Sequence, residues 1–401
     1  MSTDQDFRLR DVALAAYGPS VVISIGHGAV MPVLALRARE LGADVGTAAL
    51  IVGLLGVGML LASLPAGALI ARVGEKRALR LAGLLDAAAM AAAALTGSVL
   101  GLGLAVVVSG MAWTTFLISR QGFMIEAVPA AYRARALSTL GGTHRIGVFI
   151  GPLLGAVLIR ATGLTAVFWL ALALSLVAAA MATLMPDLGS EERAEQQATG
   201  HLSVWSVLVA HRRTLLTLGS VVVVIGASRS IRTGLLPLWA ESVGISASTT
   251  SLIFALAAFV DIVFFYPGGW VMDRYGRAIV AVPVVLSVGI AALLLPLTST
   301  AMGVAGVMMV IAVGNGLGSG IVMTIGADTA PIRGRSQYLG GWRLCGDIGN
   351  SGGPLLVGAV ATVAPLATAC VVVGVLGLLG SGWVGYWTAR LDRSRRTSSA
   401  G

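Results

Sequence analysis

The stretch GWVMDRYGR at residues 269–277 is a short polar turn between two apolar runs, and 202 residues earlier stands a weaker copy, GALIARVGEKR at residues 67–77. The same shift carries Pro65 to Pro267, Gly42 to Gly244, Gly67 to Gly269, Arg72 to Arg274 and Gly74 to Gly276. It also carries Pro129 to Pro331, Arg133 to Arg335, Gly147 to Gly349, Gly151 to Gly353 and Pro152 to Pro354. A chain with 53 glycines matches itself at glycine by chance. One offset held through proline, arginine and glycine together indicates an internal duplication.

Between these anchors the sequence is too apolar for water. Of 401 residues, 57% are hydrophobic and 11% charged, against about 25% charged in a soluble domain. A helix facing lipid needs no polar cover, so the bilayer is the solvent this composition suits. Apolar runs long enough to cross hydrocarbon fall near 13–36, 46–71, 78–97, 99–127, 136–159 and 164–185, then 215–239, 247–272, 278–298, 301–327, 336–362 and 364–388. The expected fold is all-α and integral to the membrane, with twelve transmembrane helices. Its parts are a six-helix bundle over 1–185, a cytoplasmic linker over 186–214, a second bundle over 215–390 and a cytoplasmic tail over 391–401.

Basic residues gather at alternate ends of the runs, at Arg8 and Arg10, Arg72 to Arg80, Arg133 and Arg135, Arg212 and Arg213, Arg274 and Arg277, Arg333 and Arg335, and Arg390 to Arg396. The other ends carry little beyond Arg37, Arg39 and Arg160. This bias predicts both termini in the cytoplasm, which requires an even number of spans. Six spans per repeat make the two halves parallel, related by a pseudo-two-fold along the membrane normal, with cargo expected near the midplane between them. The net charge of +9 comes from helix ends and forms no stripe, so nucleic acid is not an expected partner. Cys345 and Cys370 lack metal-ligand spacing and read as small hydrophobes. The first run is too long for a signal-peptide core and reads as a span.

The two loop stretches resemble the cytoplasmic loop motif of the major facilitator superfamily, and the resemblance covers nearly the whole chain. It implies a gating latch at Gly269, Asp273, Arg274, Gly276 and Arg277, joined by Glu126 and Asp328, which the 202 offset relates. Asp273 is expected near the cytoplasmic end of the eleventh run, with Arg277 close to Asp328. The first copy, with Gly67, Arg72 and Gly74, has Ala71 where the family carries aspartate and Glu75 where it carries arginine, so the second copy is the stronger latch. The fifth run holds Gly147, Gly151 and Pro152 in a pattern that family members associate with antiport, and the eleventh repeats it with Gly353 and Pro354. Among members of the family the chain resembles drug:proton antiporters.

Ionisable groups at membrane depth are costly and face a cavity or a partner. The family places its cavity on the first, fourth, seventh and tenth runs, which makes His27, Arg120, Arg229 and Arg232 the expected substrate contacts, with Trp113 and Asn315 beside them. Asp261, Arg145, Arg343, Asp347 and Asp86 are candidates for proton coupling or ion pairs. Similar depths predict a pair of Arg145 with Asp261, for which Arg229 and Arg232 are rival partners. No nucleophile–base set, metal spacing or phosphate loop is present, so neither enzyme activity nor a metal or cofactor is expected. The expectation is a monomeric plasma-membrane transporter working by alternating access, a proton-coupled exporter of a small organic compound. Import of an organic anion or metabolite on the same fold is the alternative.

Overall fold

The computed structural model describes residues 9–128, 130–185, 204–331 and 335–399, with side chains throughout except at 9–16, 64, 71, 125–126, 130–135, 137–138, 204–205, 273, 335–337 and 395–399. Residues 186–203 of the expected linker, and the side chains of Glu126 and Asp273, therefore lie outside the described residues. All regular structure among the described residues is helical.

The first repeat contains α1 (Leu9–Val30), α2 (Leu34–Glu40), α3 (Val45–Val73), α4 (Glu75–Leu95), α5 (Val99–Ala127), α6 (Ala130–Thr162) and α7 (Thr165–Met181). A short α8 (Val204–Ala210) leads into the second repeat, α9 (Arg212–Ser242), α10 (Ala247–Tyr275), α11 (Ala278–Leu294), α12 (Ala301–Leu317), α13 (Ile321–Thr329), α14 (Arg335–Ala361) and α15 (Leu366–Ser399).

Among the described residues, ten helical segments are long and apolar enough to cross a membrane, and α1 with α2 makes an eleventh when taken as one span bent by 45°. That bend falls within the first apolar run. Pro32 sits in the break and has no N–H to continue the ladder. The tenth run is also broken, at Gly318 to Gly320, where three closely spaced small residues weaken the helix. The helix of the eleventh run, α14, carries Arg343, Asp347 and Asn350 and is not among these segments. The end of the expected linker is helical because Val207 in α8 joins a core of the second repeat. The expected tail is likewise helical, since α15 continues through Ser399.

Helix starts follow the repeat even where the residue changes. Asp44 accepts from Thr47 N at 2.9 Å, and Ser246, 202 residues on, accepts from Thr249 N at 3.2 Å. Ser98 accepts from Gly101 N at 3.1 Å, and Thr300 accepts from Gly303 N at 3.2 Å. Each side-chain oxygen satisfies an N–H that the first helical turn leaves without a partner. Gly74 and Gly276 both have positive φ, 84° and 107°, where a side chain would strain the loop turn.

The chain forms two compact units, one of residues 1–37 and 57–200, the other of residues 38–56 and 201–401. Within the first, α1 packs on α6 and α7, and α4 on α5 and α7. Within the second, α9 packs on α14 and α15, and α11 on α12 and α15, the same pairings in repeat order. Leu100, Leu104, Val157, Met302 and Leu379 stay largely exposed, as lipid-facing side chains do.

Candidate functional site

In the first unit, small residues set the distance between α1 and α6. A Cβ at Gly151 would collide with the backbone of Ile25 and Ala29, and one at Gly147 with Ser24. In the second unit, Gly353 meets Ala227 O and Gly349 meets Val223 and Ala227 in the same way. Ile25 and Ala227 are themselves repeat partners, so the glycine–proline pattern makes the same helix contact twice. It acts as a close-packing face within each unit.

That packing turns His27 of α1 toward α4. His27 Nε2 lies 3.2 Å from each carboxylate oxygen of Asp86, which is fully buried. Ser109 of α5 donates to Asp86 Oδ1 at 2.7 Å, and Ser175 of α7 donates to Oδ2 at 2.6 Å. A carboxylate away from water is tolerated when its lone pairs meet donors in this way. Trp113 stacks on His27 with ring centroids 4.2 Å apart, and its ring centroid lies 5.7 Å from that of His144. His144 Nδ1 lies 3.2 Å from Ser24 Oγ. The structure thus joins His27, Trp113 and Asp86 in one cluster. Ser24, Ser109 and Ser175 went unnoticed in the sequence because a serine on an apolar helix carries no signal until its neighbour is known. Arg120 lies on α5 and Arg145 on α6.

The second unit has its own polar cluster. Asp261 Oδ2 accepts from Arg232 Nη1 at 3.3 Å and from Asn315 Nδ2 at 2.8 Å. Of the partners open to Asp261, the seventh-run arginine is the one engaged within the unit. Arg229 Nη2 donates at 2.6 Å to the carbonyl of Gly318, one of the groups at the break between α12 and α13. Breaking a helix inside a membrane frees carbonyls that need donors, and an arginine supplies one. Arg343 Nε lies 3.9 Å from Asp347 Oδ2, one turn away on the same helix.

At the loop ends, Arg277 Nε donates to Asp328 Oδ2 at 2.9 Å. The carboxylate of Asp392, in the last helix, accepts from the backbone N–H of Arg277 and of Ala278, each at 3.0 Å. Asp392 was missed by the sequence reading, which took its surroundings as tail. Arg274 lies over two rings, 5.6 Å from the centroid of Trp270 and 5.7 Å from that of Tyr275. Its repeat partner Arg72 is exposed, as is Gly67, and Gly269 is half-buried. No cluster of three metal-ligating side chains occurs among the described residues.

The family model of the Major Facilitator Superfamily matches residues 20–354 and 218–401 of this sequence. No curated protein matches it. Among solved structures, the nucleoside transporter NupG aligns with a TM-score of 0.75 at 14% identity, covering 94% of this chain and 99% of that one. A POT family transporter in complex with a thioalcohol-conjugated peptide aligns at 0.77 with 13% identity, covering 95% and 96%. A POT family transporter in complex with 5-aminolevulinic acid aligns at 0.75 with 12% identity over the same shares. At such identities the likeness is one of fold.

Proposed function

The chain belongs to the major facilitator superfamily, and on that premise we propose that it is a monomeric secondary transporter that exports a small organic compound across the plasma membrane in exchange for protons. Both termini then face the cytoplasm. One observation carries the proton part: the contact of His27 with both oxygens of the buried Asp86. Histidine is the side chain whose charge changes nearest neutral pH. The pair can hold or release a proton on the imidazole while Ser109 and Ser175 keep the carboxylate solvated. Releasing it alters the net charge of the cluster in a medium where net charge is costly. An exchanger needs such a group, loaded on one side of the membrane and emptied on the other.

The outward direction and the antiport rest on the resemblance of the fifth run to antiporter patterns. Import of an organic anion is favoured instead by the arginines of the second unit, Arg229, Arg232 and Arg343. Purified protein in proteoliposomes with an imposed pH gradient separates the two. Export by exchange predicts compound moving against the proton flow, with the coupling lost in Asp86→Asn and His27→Gln. Movement with the proton flow establishes the import reading, and transport indifferent to the gradient removes proton coupling altogether.

A further inference from the structure

Asp261 is 7% exposed, and both of its hydrogen bonds fall on one oxygen. Oδ2 receives Arg232 from α9 and Asn315 from α12. Oδ1 is buried and accepts no hydrogen bond among the described residues. The amide oxygen of Asn315 is in the same condition. Its orientation is not arbitrary, because reversing the amide would set its oxygen against the carboxylate. Two acceptors thus stand without donors on two side chains already bonded to each other, one of them a carboxyl group. The helices come close here because Gly316 has no side chain, and a Cβ there would lie 3.1 Å from Asp261 Cα. The side chains of Arg232 and Asp261 are 17% and 9% exposed.

We propose that Asp261 and Asn315 bind a cationic N–H donor group of the cargo, a primary ammonium or an amidinium. This rests on the transport reading above and adds to it the chemical class of the compound. A group with at least two N–H donors can reach both open oxygens, and its positive charge matches the carboxylate. A hydroxyl offers a single donor, and a carboxylate offers none and would meet Asp261 as a like charge. Arg232 holds Asp261 by one contact at 3.3 Å, so an incoming cation can share the carboxylate without first breaking a bidentate pair.

The test is equilibrium binding of three matched probes, phenethylamine, phenethyl alcohol and phenylacetate, to the purified full-length protein in detergent, read by calorimetry. The amine is expected to bind at least about tenfold tighter than either analogue, the range of a charged hydrogen bond. Asp261→Asn and Asn315→Leu are each expected to remove that preference. Equal binding of the three probes, tighter binding of phenylacetate, or no binding of the amine at millimolar concentration overturns the assignment. So does an amine preference that survives Asp261→Asn, which would leave the open oxygens to water. The same preparations in proteoliposomes keep the two readings apart. Amine binding without proton-driven movement defeats the exporter and leaves the site. Proton-driven movement of compounds without amine preference defeats the site and leaves the exporter.

Discussion

Arg39 donates through Nε to Glu241 at 3.2 Å, and the two residues stand 202 apart, the interval of the sequence repeat. A position and its own copy carry opposite charges and meet within the second unit. Arg39 also donates to Ala43 O at 2.5 Å, which ties the pair to the turn before α3.

The two side chains are 32% and 37% exposed, so water and salt screen the pair. Arg39→Gln and Glu241→Gln are each expected to lower stability by less than about 1 kcal/mol. A double-mutant cycle from denaturation in detergent should give a coupling that fades at high salt. Coupling that survives high salt would show a pair more buried than this one.

Asp86 has no such access to water. Ser175→Ala removes one of its donors and is expected to cost about 1–3 kcal/mol. Asp86→Ala, which strips the partner from His27, should cost more, about 3–5 kcal/mol. Thermal unfolding at neutral pH measures both, and a neutral Ser175→Ala would mean that water takes the place of the hydroxyl.

The glycines of α6 fall into two kinds. Gly151→Leu would drive a side chain into α1 and is expected to abolish folding into the membrane. Gly141 has open space beside it, so Gly141→Ala should be neutral or gain about 0.4–1 kcal/mol. Expression and unfolding of the two variants check the contrast; equal effects would reject the packing account.

Asp392 accepts from the first N–H groups of α11. Asp392→Ala is expected to cost about 0.5–2 kcal/mol, as losing a helix cap does. Hydrogen exchange at Arg277 and Ala278 should rise in step. Unchanged protection there would show that other acceptors serve these groups.

Asp44, outside the spans, is held below the usual carboxyl range, first by the Thr47 hydroxyl and then by the Thr47 backbone N–H. A lowered folded value means stability that is present above the unfolded pKa, near about 4. It is lost as pH falls through the lower folded value. Asp44→Asn keeps a capping side chain but should flatten the difference in unfolding between neutral pH and about pH 3. An unchanged acid dependence would show that Asp44 does not contribute to it.

Much of the architecture lies in local pattern. The spans follow from apolar runs and the repeat from a constant offset. Even the caps were legible, because Asp44 with Ser246 and Ser98 with Thr300 keep an oxygen acceptor at matching positions. The pair of Arg39 with Glu241 was also within reach, as two opposite charges at the repeat interval. These features depend on residues within one turn or on position along the chain, and sequence records both directly.

Partner choice between helices is a different matter. Asp86 could be seen as a costly charge, but not that Ser109, Ser175 and His27 surround it. Asp261 had Arg145, Arg229 and Arg232 as possible partners at similar depth, and only the packing of α9 against α10 brings Arg232 to Oδ2. One residue along a helix moves a side chain by about 1.5 Å in depth and turns it by roughly 100°. A pairing is therefore fixed by how each helix is rotated against its neighbours, and that rotation is set by contacts such as Gly151 on Ile25 and Gly316 on Asp261. The sequence determined which charges must find partners in the membrane; close packing at glycine decided which partners they found.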